Sequence, residues 1–153
     1  MQKKSEIYFV AEKIKFELKG KNAIRKWIIS TIENEKQLPG PLCYVFCSDN
    51  YLLGLNRKYL NHDYYTDIIT FDYARATEAK SKKNVISGDL FISIDRVKDN
   101  ARNSGTTFDN ELKRVLIHGV LHLLGYTDKT PAAEKQMRKK ENIYLKTFNL
   151  IKK

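Results

Sequence analysis

Residues 118–128 read HGVLHLLGYTD and hold two of the chain's three histidines, His118 and His122. An α-helix advances about 100° per residue, so the two imidazoles differ by about 40° around its axis and stand one turn apart. Both can reach one ion, and this is the spacing that zinc-binding helices of metallohydrolases use. Two ligands do not make a tight site; a catalytic centre needs a third and keeps a further position open for water. Gly125 can stop the helix in a left-handed turn. Tyr126 and Thr127 then fill the turn, and Asp128 can return a carboxylate to the ion. His118, His122 and Asp128 together make a catalytic-type site for one divalent ion. Zinc is the first choice, and manganese or nickel fit the same ligands.

The alternative is a buried helix that merely contains histidines. Val115, Leu116, Ile117, Val120, Leu121, Leu123 and Leu124 make this segment apolar nearly all round. Burying two imidazoles without partners would cost about a few kcal/mol, which favours the metal reading. An HExxH peptidase carries its general base directly after the first histidine, and here that position is Gly119. Peptide hydrolysis by that route is not expected.

The elements that must position this segment follow from periodicity. IYFV at 7–10 is a short strand, and NAIRKWIISTIENEKQ (22–37) has helical apolar spacing. QLPGPL breaks it, LCYVFCS (42–48) suits a central strand, and Asp49 can cap a short helix behind it. TDIITFDYA (66–74) and VISGDLFISIDRV (85–97) are strands separated by a lysine-rich surface loop at 75–84. A short helix ends at Gly105, Thr107 caps the histidine helix, and Pro131 opens a last helix. The expectation is a single α/β (α+β) domain over residues 1–153. It has one mixed sheet of about four strands packed with about five helices, and the metal site lies on a central helix.

The net charge of +10 attracts polyanions. No apolar run approaches the roughly 20 residues of a membrane span. The N-terminal segment has no uninterrupted apolar stretch, so no export signal and a cytoplasmic location are expected. Cys43 and Cys47 are one residue too far apart for a CxxC motif and are expected as reduced core thiols.

HGVLHLLGYTD resembles the HGxLHLxGYDH signature of the YbeY family, bacterial metal-dependent endoribonucleases of ribosomal RNA maturation. LNRKYLNHDYYTDIITFDY is similar to that family's LNxxYRxxDxPTDVLSFP, GDLFISIDRVKDNA to its GDIxI strand and following helix, and EKQMRKKE falls in its terminal helix. The resemblance implies a small α/β domain, one zinc ion and three histidine ligands. It implies single-strand-specific RNA cleavage, with ribosomal RNA and a ribosomal subunit as partners and no membrane. His118 and His122 match the first two ligands, and the third falls on Asp128. A carboxylate there adds negative charge and should make the ion a weaker Lewis acid. His62 in NHDYYTD is the rival third ligand.

A second departure is Leu60, where the family motif has an arginine that the resemblance assigns to RNA phosphate. Arg57, one turn earlier, and Arg114, one turn before His118, are the candidate catalytic cations. Arg114 can instead pair with Glu111 on its own helix. Thr66 and Asp67 match the TD of the motif and either shape the cleft or cap a strand. Gly88 and Asp89 match its GD pair, where Gly88 either lets the strand approach the active-site helix or makes a bulge. Lys135, Arg138, Lys139, Lys140 and Lys146 can carry flanking RNA or form a solvated face, and Tyr64, Tyr65 and Tyr126 can stack on unpaired bases or line the core. Thr66, Tyr126 and Lys139 are the expected substrate contacts. Two rival readings remain: a non-catalytic ribosome-assembly factor with a structural metal, and a metallohydrolase of another ester.

Overall fold

The apolar run before Ser48 becomes the centre of the sheet. In the computed structural model, which describes residues 6–73 and 84–152, Ile7–Ala11 (β1) and Val85–Ser93 (β4) flank Leu38–Cys47 (β2), both in parallel. Ile68–Asp72 (β3) closes the order β1-β2-β4-β3 by pairing antiparallel with β4. Tyr44, Phe46, Leu90 and Ile92 are fully or almost fully buried on one face, and Val45 and Cys47 are buried on the other, as a central strand covered on both faces requires.

Helices Lys21–Asn34 (α1), Asp49–Leu60 (α2), Ile94–Ser104 (α3), Phe108–Leu123 (α4) and Pro131–Lys152 (α5) complete the described residues. Over the described residues this is the single α+β domain with a mixed four-stranded sheet and five helices that the pattern implied. Besides end shifts of one to three residues, as in α1 and β3, its boundaries differ in three places, each for a local reason. The QLPGPL segment does not break before the strand but opens it: Leu38 and Pro39 pair with β4, and the register slips between Pro39 and Leu42. The irregularity accommodates prolines that cannot donate to a ladder. The helix α2 is capped by Ser48, whose side chain accepts from the Tyr51 amide, and Asp49 instead sits in the first turn. The strand β4 ends at Ser93, which caps α3 by accepting from the Arg96 amide, so residues 94–97 are helical. The loop expected over 75–84 lies outside the described residues except for Asn84. Cys43 and Cys47 are free thiols, and burial pushes the Cys47 thiol up to about 12.

Helix α4 lies directly on the sheet because Gly119 has no side chain. A Cβ there would stand 2.5 Å from Leu90 Cδ2 and 2.7 Å from Ile68 Cδ1. The residue that removes a peptidase base therefore has a packing role. Gly88 sits equally close, its Cβ position 2.3 Å from the Phe71 carbonyl oxygen and 3.4 Å from Leu123 of α4. The Tyr44 hydroxyl donates to the Leu116 carbonyl across the same interface at 3.1 Å. Helix α5 closes the other side of α4 with a buried stripe of Met137, Glu141, Tyr144 and Phe148.

Candidate metal centre

Thr107 caps α4 by accepting from the Asn110 amide, and Gly125 ends it at φ 110°. The amide of Tyr126 then bonds back to the Leu121 carbonyl at 3.0 Å. This stop reverses the chain and brings Asp128 to the two imidazoles. His118 Nε2 lies 2.9 Å from His122 Nε2, and Asp128 Oδ2 lies 3.4 Å and 3.5 Å from them. Ligand atoms about 2.0–2.2 Å from a tetrahedral ion lie about 3.3–3.6 Å apart; the two Asp128 distances match this and the imidazole nitrogens stand somewhat closer, so the triad is near the size of one face of such a site.

Hydrogen bonds orient the lone pairs as well. His118 Nδ1 donates to Glu141 Oε2 at 2.6 Å, and His122 Nδ1 donates to the Tyr126 carbonyl at 3.1 Å. In the neutral imidazoles both Nε2 lone pairs then face each other and a carboxylate, an arrangement that repels unless a cation lies between. The three residues fit a divalent ion on this ground. His122 is the poorer proton acceptor: burial lowers its pKa, and the charge of His118 lowers it further. Burial also acts to lower His118, but the Glu141 hydrogen bond and charge outweigh it and raise the pKa.

Glu141, only 3% exposed, is the residue that sequence reasoning missed. Burial would raise its carboxyl, but hydrogen bonds from His118 and Arg114 hold it below the ordinary range. Its one available signal was a glutamate at a core position of the α5 stripe, one turn past Met137. Arg114 is accordingly not a free cation. Its Nη1 donates to Glu141 Oε1 at 2.8 Å, while the expected partner Glu111 stands 3.7 Å from Nε. Arg114 thus acts on His118 through Glu141.

Three clefts converge on His118. One contains Thr66, Asp67, Leu60, His62 and Tyr64 together with the triad. A second runs past Arg114 and Asn100 toward α3, and a third runs along α5 past Lys135 and Arg138. Thr66 lies at the cleft as expected, and Asp67 lines both the first and the second. Burial raises the Asp67 carboxyl above its usual range, against the opposing charge of His118.

Other expected residues stand elsewhere. Arg57 does not line these clefts, and its Nε meets Asp63 Oδ1 at 2.5 Å on the exposed surface. Tyr126 offers its backbone carbonyl to His122, while its hydroxyl donates to Glu35 Oε1 at 2.7 Å and its ring packs on the core. Lys139 is exposed on the face of α5 turned away from Met137, about 200° around the helix, and Lys135 and Arg138 reach the cleft instead. His62, the rival ligand, bonds through Nδ1 to the Tyr64 hydroxyl at 2.9 Å and is not part of the metal-ligand cluster.

Fold and site define a small α+β protein with a His-His-carboxylate metal-site candidate on a central helix and its following turn. The chain belongs to the Endoribonuclease YbeY family, whose model matches residues 6–149. It is 50% identical over 143 residues to the Endoribonuclease YbeY of Cytophaga hutchinsonii, covering 94% of this chain and 96% of that one. Over 148 residues it is 47% identical to the protein of the same name from Amoebophilus asiaticus, covering 97% of each. A solution structure of a Thermotoga maritima protein superposes with a TM-score of 0.61 at 24% identity, over 93% of this chain and 88% of that one, and shares the fold.

Proposed function

We propose that this protein is a metal-dependent endoribonuclease that cuts unpaired stretches of ribosomal RNA precursors in the cytoplasm, in association with a ribosomal subunit. The observation that carries the reading is the triad itself, with two imidazole lone pairs and a carboxylate converging at tetrahedral spacing in a chain of the YbeY family. His118 Nε2, His122 Nε2 and an oxygen of Asp128 would hold the ion, zinc by preference. When bound, it supplies Lewis acidity toward a phosphate oxygen and a nucleophilic water.

The remaining work falls to the chain. Glu141 and the Tyr126 carbonyl fix the tautomer and tilt of the two imidazoles. Arg114 keeps Glu141 ionised and aimed. Asp67, half-buried with a raised pKa, can hold a proton beside the scissile phosphate. Lys135 and Arg138 line the cleft along α5 and offset phosphate charge there. Asp128 in place of a third imidazole adds negative charge and weakens the Lewis acid. Arg57, held by Asp63, is assigned no part in the chemistry.

The test is cleavage of a ribosomal RNA precursor by wild type and His122→Ala at matched folding, with metal content measured on both. Loss of cleavage and of metal together is expected. Undiminished cleavage by His122→Ala would overturn the reading, and cleavage of other esters with indifference to RNA would replace the substrate.

A further inference from the structure

The three clefts that meet at His118 differ in the cations they hold. Lys135 and Arg138 line the α5 arm beside Asp128, Glu134 and Glu141, and Arg114 and Arg138 line the arm toward α3 beside Asp67, Glu111 and Glu141. Arg138 stands 3.6 Å from Glu141, and Lys135 is in no ion pair among the described residues. The arm between the end of α2 and β3 has neither lysine nor arginine among the described residues that line it. Its wall carries Leu60, His62 and Tyr64, facing the same space as His118, His122 and Asp128.

These side chains are unusual for a soluble surface. Leu60 is 42% exposed and Tyr64 55%. The His62 and Tyr64 rings stack at 5.0 Å between centroids and 20° between planes. The Tyr64 hydroxyl bonds to His62 Nδ1 at 2.9 Å, and buried Asn56 donates to the Tyr64 carbonyl at 2.9 Å. The pair is thus held in shape before anything binds, which lowers the entropy lost on binding. An exposed, prearranged aromatic face next to a phosphodiester-cleaving centre, with no lysine or arginine among the described residues that line it, matches the flat π-surface of a base rather than the charge of a phosphate.

Resting on the endoribonuclease reading, we propose that the α2–β3 arm seats an unpaired nucleobase of single-stranded RNA on the His62–Tyr64 pair, while the backbone phosphates beyond the scissile bond lie along the α5 arm on Lys135 and Arg138. The enzyme then has a base side and a phosphate side. A base locked in a duplex cannot reach the platform, so the arrangement selects unpaired strands through stacking.

The experiment is equilibrium binding of a labelled 2′-O-methyl oligoadenylate heptamer and of the same backbone with abasic residues, across a salt series, with a gel check that both stay intact. Wild type should bind the base-bearing strand about 5- to 150-fold more tightly than the abasic one. Tyr64→Ala should abolish that difference without changing the salt slope, and Tyr64→Phe should keep it. Combined Lys135→Ala and Arg138→Ala should keep the base preference and reduce the salt slope by about 1.4, at about 0.7 per single-strand phosphate contact. Melting curves establish that the variants fold, as expected for exposed positions. Equal affinity of wild type for both strands, or an undiminished preference in Tyr64→Ala, overturns the proposal. Wild-type cleavage of unmodified RNA, run in parallel, separates the two failures: cleavage without base preference rejects the platform alone, and neither cleavage nor binding rejects the endoribonuclease reading as well.

Discussion

Glu141 is the most informative residue to perturb, because it joins the metal centre to the packing of α4 against α5. Glu141→Ala removes two hydrogen bonds at once, the 2.6 Å bond from His118 Nδ1 and the 2.8 Å bond from Arg114. Breaking a buried ion pair costs about 3–5 kcal/mol; the Arg114 side chain is 25% exposed and water can recover part of its solvation, so about 2–3 kcal/mol is expected here. For a domain of this size that lowers the melting temperature by about 4–12 °C. The free His118 ring can rotate and change tautomer, and loss of such an outer-shell partner weakens metal binding about 10- to 100-fold. Glu141→Gln keeps an acceptor oxygen without the charge and should fall between wild type and alanine on both measures. The assays are thermal unfolding of the metal-free protein and competition with a calibrated zinc chelator. If Glu141→Ala unfolds earlier but binds zinc as tightly as wild type, Glu141 holds helices together and does not position His118, and the reasoning about the site is refuted.

Three further outcomes are expected. Wild type and Asp128→His should each hold about one equivalent of metal, and Asp128→Ala should hold none. The histidine variant should also shift the rising limb of the pH–rate profile to lower pH, since a neutral ligand leaves a stronger Lewis acid; elemental analysis and initial rates check both. Gly88→Ala would drive a methyl group to 2.3 Å from the Phe71 carbonyl, a backbone atom that cannot step aside. It should destabilise by about 2–4 kcal/mol in urea unfolding and loosen β3 from β4, and a variant as stable as wild type would contradict the close approach. Glu35 carries part of the acid dependence, beside Glu141. Burial would raise its carboxyl, but hydrogen bonds from Tyr144, Tyr126 and Lys140 bring it below the ordinary 4.5. The folded state therefore binds fewer protons than the unfolded one, and the contribution is complete above pH 4.5 and lost as pH falls below it. Glu35→Gln should flatten that part of the stability–pH curve, and an unchanged acid limb would count against the network.

Local chemistry made much of this molecule legible. The i, i+4 histidines, the glycine stop and the returning aspartate lie within eleven residues of sequence, and helix geometry together with the turn that ends it brings their ligand atoms together. The cap Thr107, the helix-opening Pro131 and the left-handed Gly125 act over one turn, and each was readable. The errors were local competitions with close rivals. Ser48 outcompeted Asp49 as a cap, and Ser93 turned the end of an expected strand into a helix start.

Which charges belong to the centre was a tertiary matter. Arg114 keeps an ion pair at 3.7 Å with Glu111, three residues away, but makes its 2.8 Å hydrogen bond to Glu141, 27 residues away, because α5 presents a buried carboxylate where its guanidinium ends. Tyr126 has the composition of a base-stacking residue, yet Glu35, 91 residues earlier, anchors its hydroxyl and leaves its carbonyl for His122. Lys139 and Arg138 are neighbours in sequence, but about 100° of helix rotation sends one to solvent and the other to the cleft. The sequence by itself determined a candidate metal-ligand turn on a buried helix and the family to which the chain belongs. The packing of α2, β3 and α5 around that helix decided which side chains surround the triad, because contacts between residues tens of positions apart leave no periodic trace in the chain.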